Sequence, residues 1–112
     1  MNRTLVLNVV GLTPELVGEH TPALSALAKR GSLRPLTTIL PAVTCSVQST
    51  FTTGLPPSGH GIVGNGWYYR ELAEVAFWKQ ANQLVGGDKL WDEAKRRDST
   101  FTCAKLFWWF NM

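Results

Sequence analysis

An absence constrains this chain more than any residue it contains. From Gly31 to Tyr69 the only charged side chain is Arg34, and no acidic residue stands between Glu19 and Glu71. A stretch so poor in charge is either deeply buried or built around something other than side-chain charge. It is not a membrane span: Pro41, Pro56, Pro57 and several glycines interrupt it, Thr and Ser are frequent, and lipid offers freed backbone groups no partner. Nor is it disordered, because 45% of the residues are apolar and only 17% charged, a balance that collapses in water.

The charges that are present follow no nucleic-acid pattern. The net charge of +3 is spread from Arg3 to Lys105, with one short cluster at Lys95-Arg96-Arg97, so the stripe that tracks phosphates is missing and nucleic acid is excluded as a partner. Leu5-Val6-Leu7 is too short for a signal peptide's apolar region and no small-residue cleavage site follows it. A cytoplasmic protein without membrane attachment is expected. Cys45 and Cys103 are too few for a disulfide scaffold and share no CxxC spacing; both read as reduced, buried small residues. The tryptophans Trp67, Trp78, Trp91, Trp108 and Trp109 all lie in the second half, which divides the chain into an aliphatic, Thr-rich part and an aromatic part.

Local patterns suggest alternating strands and helices. The β-branched and apolar run Thr4 to Val10, ended by Gly11, reads as a buried strand. Thr21 caps a helix with Pro22 at its first position and Leu24, Leu27 and Ala28 on one face, stopped by Gly31. Ser32 to Leu40 reads as an extended or edge segment. After Thr44, Cys45 to Thr53 forms a helix closed by Gly54. Leu55 to Gly61 is a loop on composition. Trp67 to Arg70 and Val75 to Lys79 pair as a hairpin, with Glu71 and Glu74 in a solvated turn. Asp88 caps a helix through Leu90, Trp91, Ala94 and Lys95, whose basic end suits the macrodipole. Phe101 to Phe110 is a further strand candidate. The pattern predicts an α/β layer fold with a largely parallel sheet.

The constellation that bears on chemistry is Pro41-Ala42-Val43-Thr44-Cys45-Ser46, which sets a hydroxyl at the first turn of a helix. A helix N-terminus carries about +0.5 of a charge and unpaired amide hydrogens, so it attracts phosphate. Thr44 there is either a plain cap or a nucleophile. Cys45 could serve as a thiolate in the same place, while Ser46 lacks the Gly-x-Ser-x-Gly elbow of a serine hydrolase. Asn65, after Gly64, is by itself a turn residue.

The pattern Pro41-x-x-Thr44, then Thr53-Gly54-Leu55-x-Pro57-x-x-His60-Gly61-Ile62, then Asn65, resembles the nucleotide pyrophosphatase/phosphodiesterase branch of the alkaline phosphatase superfamily. Gly11-Leu12-Thr13-Pro14, Thr21-Pro22-x-Leu24, Leu90-Trp91 and Phe107-Trp108 fall in the same order as in that family, so the resemblance covers essentially the whole chain. It implies an alkaline phosphatase-like α/β/α sandwich with a mostly parallel sheet, of which residues 1–112 form a single partial, N-terminal segment. It further implies metal-dependent hydrolysis of a phosphodiester or pyrophosphate through a phospho-threonine intermediate. Thr44 would be the nucleophile, a phosphate contact and a metal ligand; Asn65 would donate its side-chain amide to a phosphoryl oxygen. The cofactor implied is a divalent metal pair of the zinc type, and the partner a phosphate-ester small molecule or nucleotide.

Two departures stand out. Val10 occupies the position of the family's first metal-binding aspartate, where Asn8, on the same face of a strand, could lend only an amide carbonyl. The remaining Asp and His ligands of the family have no counterpart in this stretch, so the segment is expected to be inactive alone. A non-catalytic relative with a binding or structural role is the alternative. His60 is read as part of the structural turn, bonded to backbone, not as a ligand. Trp67, Tyr68 and Tyr69 form either a substrate wall or packing; Trp91, Trp108 and Trp109 read as packing.

Overall fold

Helix α1, Pro22–Arg30, follows a 3₁₀ turn at Pro14–Leu16, and together with residues 3–13 and the segment to Thr37 it makes up the first of two units in a computed structural model that describes residues 3–112. Pro22 stands at the first helical position as expected, but the Thr21 hydroxyl makes no capping bond. It turns back instead, accepting from the Gly18 N–H at 2.9 Å and donating to the Leu16 carbonyl at 3.0 Å. Thr21 thus braces the turn that precedes α1. Leu24, Leu27 and Ala28 line a groove of about 210 Å³ with Leu12, Val17 and Leu33.

The strand expected over Thr4 to Val10 does not form. Residues 3–9 carry no regular secondary structure, and Leu5, Val6, Leu7 and Val10 stay 71–80% exposed. A β-branched run becomes a strand only when a neighbour takes its amides and carbonyls, and none does so among the described residues. Ser32 to Leu40 likewise forms no strand.

In the second unit, Thr38–Met112, helices alternate with one small sheet. Helix α2, Thr44–Thr53, ends at Gly54, whose left-handed backbone (φ 71°) lets its N–H close on the Thr50 carbonyl, as expected from the Thr-Gly-Leu sequence. Helix α3, Pro57–His60, replaces part of the predicted loop: Pro57 at its start and Gly61 (φ 79°) at its end make one short turn. Strands β1, Gly66–Tyr69, and β2, Glu74–Phe77, pair antiparallel with Tyr68 opposite Val75; β1 lies one residue earlier than predicted, and β2 starts one residue and ends two residues earlier. This pair is the one sheet among the described residues; no parallel sheet forms.

Helix α4, Leu90–Arg97, starts one residue later than an Asp88 cap would dictate. Lys89 holds the cap position, the Asp92 carboxylate accepts its N–H at 3.0 Å, and the Asp88 carboxylate pairs with Arg96 at 2.5 Å. The predicted strand Phe101 to Phe110 is also absent. Left-handed backbone at Phe107 and Phe110 (φ 56° each) breaks the alternation, leaving Phe107 99% exposed and turning Phe110 inward.

The core sits in this unit. Cys45, Ile62, Val85 and Phe110 are buried, with Trp67, Leu84 and Trp109 against them. Trp109 also stacks on Trp78, ring centroids 5.0 Å apart, and Lys105 lies 4.6 Å over the Trp91 ring, so both indoles pack as expected. Cys103, expected inside, is exposed on the irregular segment. No helix among the described residues is long and apolar enough to cross a membrane.

Candidate active site

The stretch without acidic residues resolves into a helix with an open end. Val43 is extended (φ −117°, ψ 160°) and has no side chain that can cap, so the first-turn amides of α2 must find partners elsewhere. One does: the Cys45 N–H donates to Asn65 Oδ1 at 3.0 Å, across twenty residues. The Thr44 and Ser46 amides have no partner among the described residues, and no acidic side chain stands in the first turn. The positive end of α2 is left without a countercharge from its own first turn. That is the local electrostatics of an anion site.

Thr44 is the first residue of α2, half-buried, and its hydroxyl makes no hydrogen bond to a described residue. It is not a cap. Cys45, its neighbour, is only 1% exposed, and burial pushes its thiol up, away from the thiolate that nucleophilic attack needs. Ser46 and Ser49 are buried with unpartnered hydroxyls, three residues apart on one face of α2. Helical spacing in the sequence could have found that pair. Gln48 was hidden from sequence reasoning, since its Oε1 accepts the Trp109 N–H at 2.9 Å, from 61 residues away.

Asn65 is tied to the residue after Thr44. Its Oδ1 is taken by Cys45, its backbone carbonyl accepts from Trp78 N–H at 2.9 Å, and its side-chain NH₂ has no partner among the described residues. Gly66 makes this placement possible: a Cβ there would fall 2.4 Å from the Phe77 ring, so only glycine lets β1 come this close to β2 beside Asn65. Next along β1, Trp67 and Tyr69 stack with centroids 5.2 Å apart, and Tyr68 is exposed on the other face. Burial, with Glu74 nearby, raises the Tyr69 phenol.

His60 is 1% exposed and does what a structural histidine does: its Nδ1 accepts the Ile62 N–H at 3.0 Å, and its Nε2 lies 3.0 Å from Thr50 Oγ1 on α2. Asn8 and Val10 lie exposed in the first unit. Among the described residues no three His, Cys, Asp or Glu side chains gather as a metal site needs. The donor set therefore does not fit a metal pair held by this chain alone.

The family model for type I phosphodiesterase / nucleotide pyrophosphatase matches residues 4–112. Comparisons with curated proteins and with solved structures found no match. The matched span takes in the open end of α2, the Asn65 turn and the hairpin that positions it. The chain belongs to the type I phosphodiesterase / nucleotide pyrophosphatase family, whose members act on phosphate-ester or nucleotide substrates.

Proposed function

We propose that the start of α2 receives the phosphoryl group of a phosphodiester or pyrophosphate, with Thr44 as its acceptor and Asn65 as its donor of a hydrogen bond. The observation that supports this reading is the Cys45 N–H to Asn65 Oδ1 bond, which ties Asn65 to the residue after Thr44 and leaves its NH₂ without a partner among the described residues. The chemistry follows from that arrangement. Thr44 Oγ forms a new P–O bond as the P–O bond to the leaving alcohol breaks; the hydroxyl proton passes to solvent and the departing alkoxide takes one from it. Charge growing on the phosphoryl oxygens meets Asn65 Nδ2–H and the amides of Thr44 and Ser46, fixed in place before the reaction.

A zinc-type pair would draw one oxygen from Thr44 and supply Lewis acidity; its other donors do not gather among the described residues. The exposed apolar segments at Leu5 to Val10 and Leu106-Phe107 support reading residues 1–112 as part of a larger catalytic domain, inactive by itself. Val10 and the missing donor set favour a second reading, a relative that binds the phosphate ester without turning it over.

Titrating the chain with a nitrophenyl phosphodiester while following its amide resonances separates these ideas. Saturable shifts at Thr44, Cys45 and Ser46 and at the Asn65 side chain are expected, and their absence overturns the site. In a form of the protein that hydrolyses the ester with zinc, Thr44→Ala abolishes turnover under the first reading. Persistent turnover in that variant rejects Thr44 as the nucleophile, and a full-length protein that binds the ester but neither zinc nor turns it over establishes the second reading.

A further inference from the structure

The buried imidazole of His60 is tied at every polar atom. Ile62 N–H donates to Nδ1, so Nδ1 bears no proton; the proton sits on Nε2 and donates to Thr50 Oγ1, and the His60 carbonyl accepts the Gly86 N–H at 2.9 Å. One ring thus links the middle of α2 to the loop that leads into Asn65. Ile62, its second partner, is 0% exposed and locked in the core beside Cys45. Three residues on, Asn65 reaches back to the Cys45 amide.

We propose that His60 is the positioning residue of the Thr44–Asn65 site: its neutral Nε2–H tautomer clamps the Asn65 loop to α2, and a proton on Nδ1 opens the clamp. The proposal rests on the phosphoryl-transfer reading for what is being positioned. A proton on Nδ1 replaces an acceptor with a donor facing the Ile62 N–H, so that bond is lost and two donors oppose each other. The loop must then shift at Ile62, which loosens the hold of Asn65 on Cys45.

The surroundings offer the imidazolium no compensation. Helix α2 carries no charged residue, and its one titratable group is Cys45; α3 and the segment Gly61 to Asn65 carry none besides His60 itself. On the Val85-Gly86 side, the Lys89 ammonium donates to the Val85 carbonyl at 2.7 Å, and the Asp88 carboxylate is paired with Arg96. Burial pushes the His60 pKa down. The unfolded chain therefore binds the proton first: the contribution of His60 to stability is fully present above about pH 6.5, the ordinary histidine value, and is lost as pH falls through the depressed folded pKa.

The test uses the full chain labelled with ¹⁵N and followed from above to below about pH 6.5. Long-range ring spectra are expected to show the Nε2–H tautomer at His60, with the Ile62 and Cys45 amides shifting together at the His60 midpoint. His60→Asn keeps an acceptor at the Nδ1 position and is expected to hold both amides near their neutral-pH places with that shared midpoint gone. Thr50→Val removes the α2 anchor without touching the ring, and is expected to loosen the Cys45 amide at neutral pH, read as faster hydrogen exchange. An Nδ1–H tautomer, or a Cys45 amide indifferent while His60 titrates, overturns the proposal. These readouts need no turnover. A working clamp in a chain that binds no phosphodiester overturns the phosphoryl-transfer reading alone, whereas phosphodiester binding with uncoupled His60 and Cys45 overturns the clamp alone.

Discussion

The two units use opposite kinds of residue to opposite effect. The first holds the most strand-like apolar run in the chain, Leu5 to Val10, and buries not one of its described residues. In the second, the most completely buried helix is α2, whose sequence Thr-Cys-Ser-Val-Gln-Ser-Thr-Phe-Thr-Thr is mostly polar. Six of the ten buried residues among those described are polar: Ser46, Gln48, Ser49, Thr52, His60 and Lys89. Apolar character sets what burial is worth, about 25 cal/mol per Å² removed from water, but it supplies no partner to bury against. Several of these polar groups are bonded where they are buried, although the Ser46 and Ser49 hydroxyls have no partner among the described residues. Thr52 and Thr53 donate to carbonyls of their own helix, and Gln48 accepts from Trp109.

That contrast can be broken at its strongest point first. Ile62→Ala empties a 0% exposed site in the second unit and is expected to cost about 2–5 kcal/mol, against about 0.5 kcal/mol or less for Val6→Ala, which is 71% exposed. Urea unfolding of both variants checks the pair, and similar losses would show that the Leu5 to Val10 run is packed after all. A smaller effect belongs to Gln48→Ala. It strands the Trp109 N–H in a half-buried place, and a loss of about 1–3 kcal/mol is expected, with faster exchange of that amide as its local signature. An unchanged Trp109 amide would mean that polar burial in α2 is incidental. The smallest shift is a gain: Phe107 is 99% exposed with φ 56°, so Phe107→Gly relieves left-handed backbone without removing a buried side chain, raising stability by about 1 kcal/mol. Destabilisation there would show that the aromatic ring is engaged.

Elements whose signals are local were legible in the sequence. Pro22 and Gly31 bracket α1, Gly54 ends α2, and the turn between Tyr69 and Glu74 announces the hairpin to within two residues. Strands were the failures, at Thr4 to Val10 and at Phe101 to Phe110, because a strand is defined by a neighbour that no local window contains. Caps failed more subtly. Thr21 and Asp88 are good capping residues by type, yet the Leu16 carbonyl and Arg96 offered their side chains better bonds. Cys103 lies exposed because the segment around it forms no strand that would turn it inward.

The candidate site divides along the same line. Residue order alone determined the hydroxyl at Thr44, the helix that begins there, the glycine that closes it, the His60-Gly61 turn and the asparagine at position 65, since each follows from spacing and backbone preference along the chain. Only the tertiary structure decided that the Asn65 side-chain oxygen accepts from Cys45 while its NH₂ has no partner among the described residues, that the His60 Nδ1 accepts from Ile62, and that Gln48 reaches Trp109. Those are pairings across two to 61 residues, chosen by which donors and acceptors the folded chain brings within about 3 Å, a quantity that sequence periodicity does not contain.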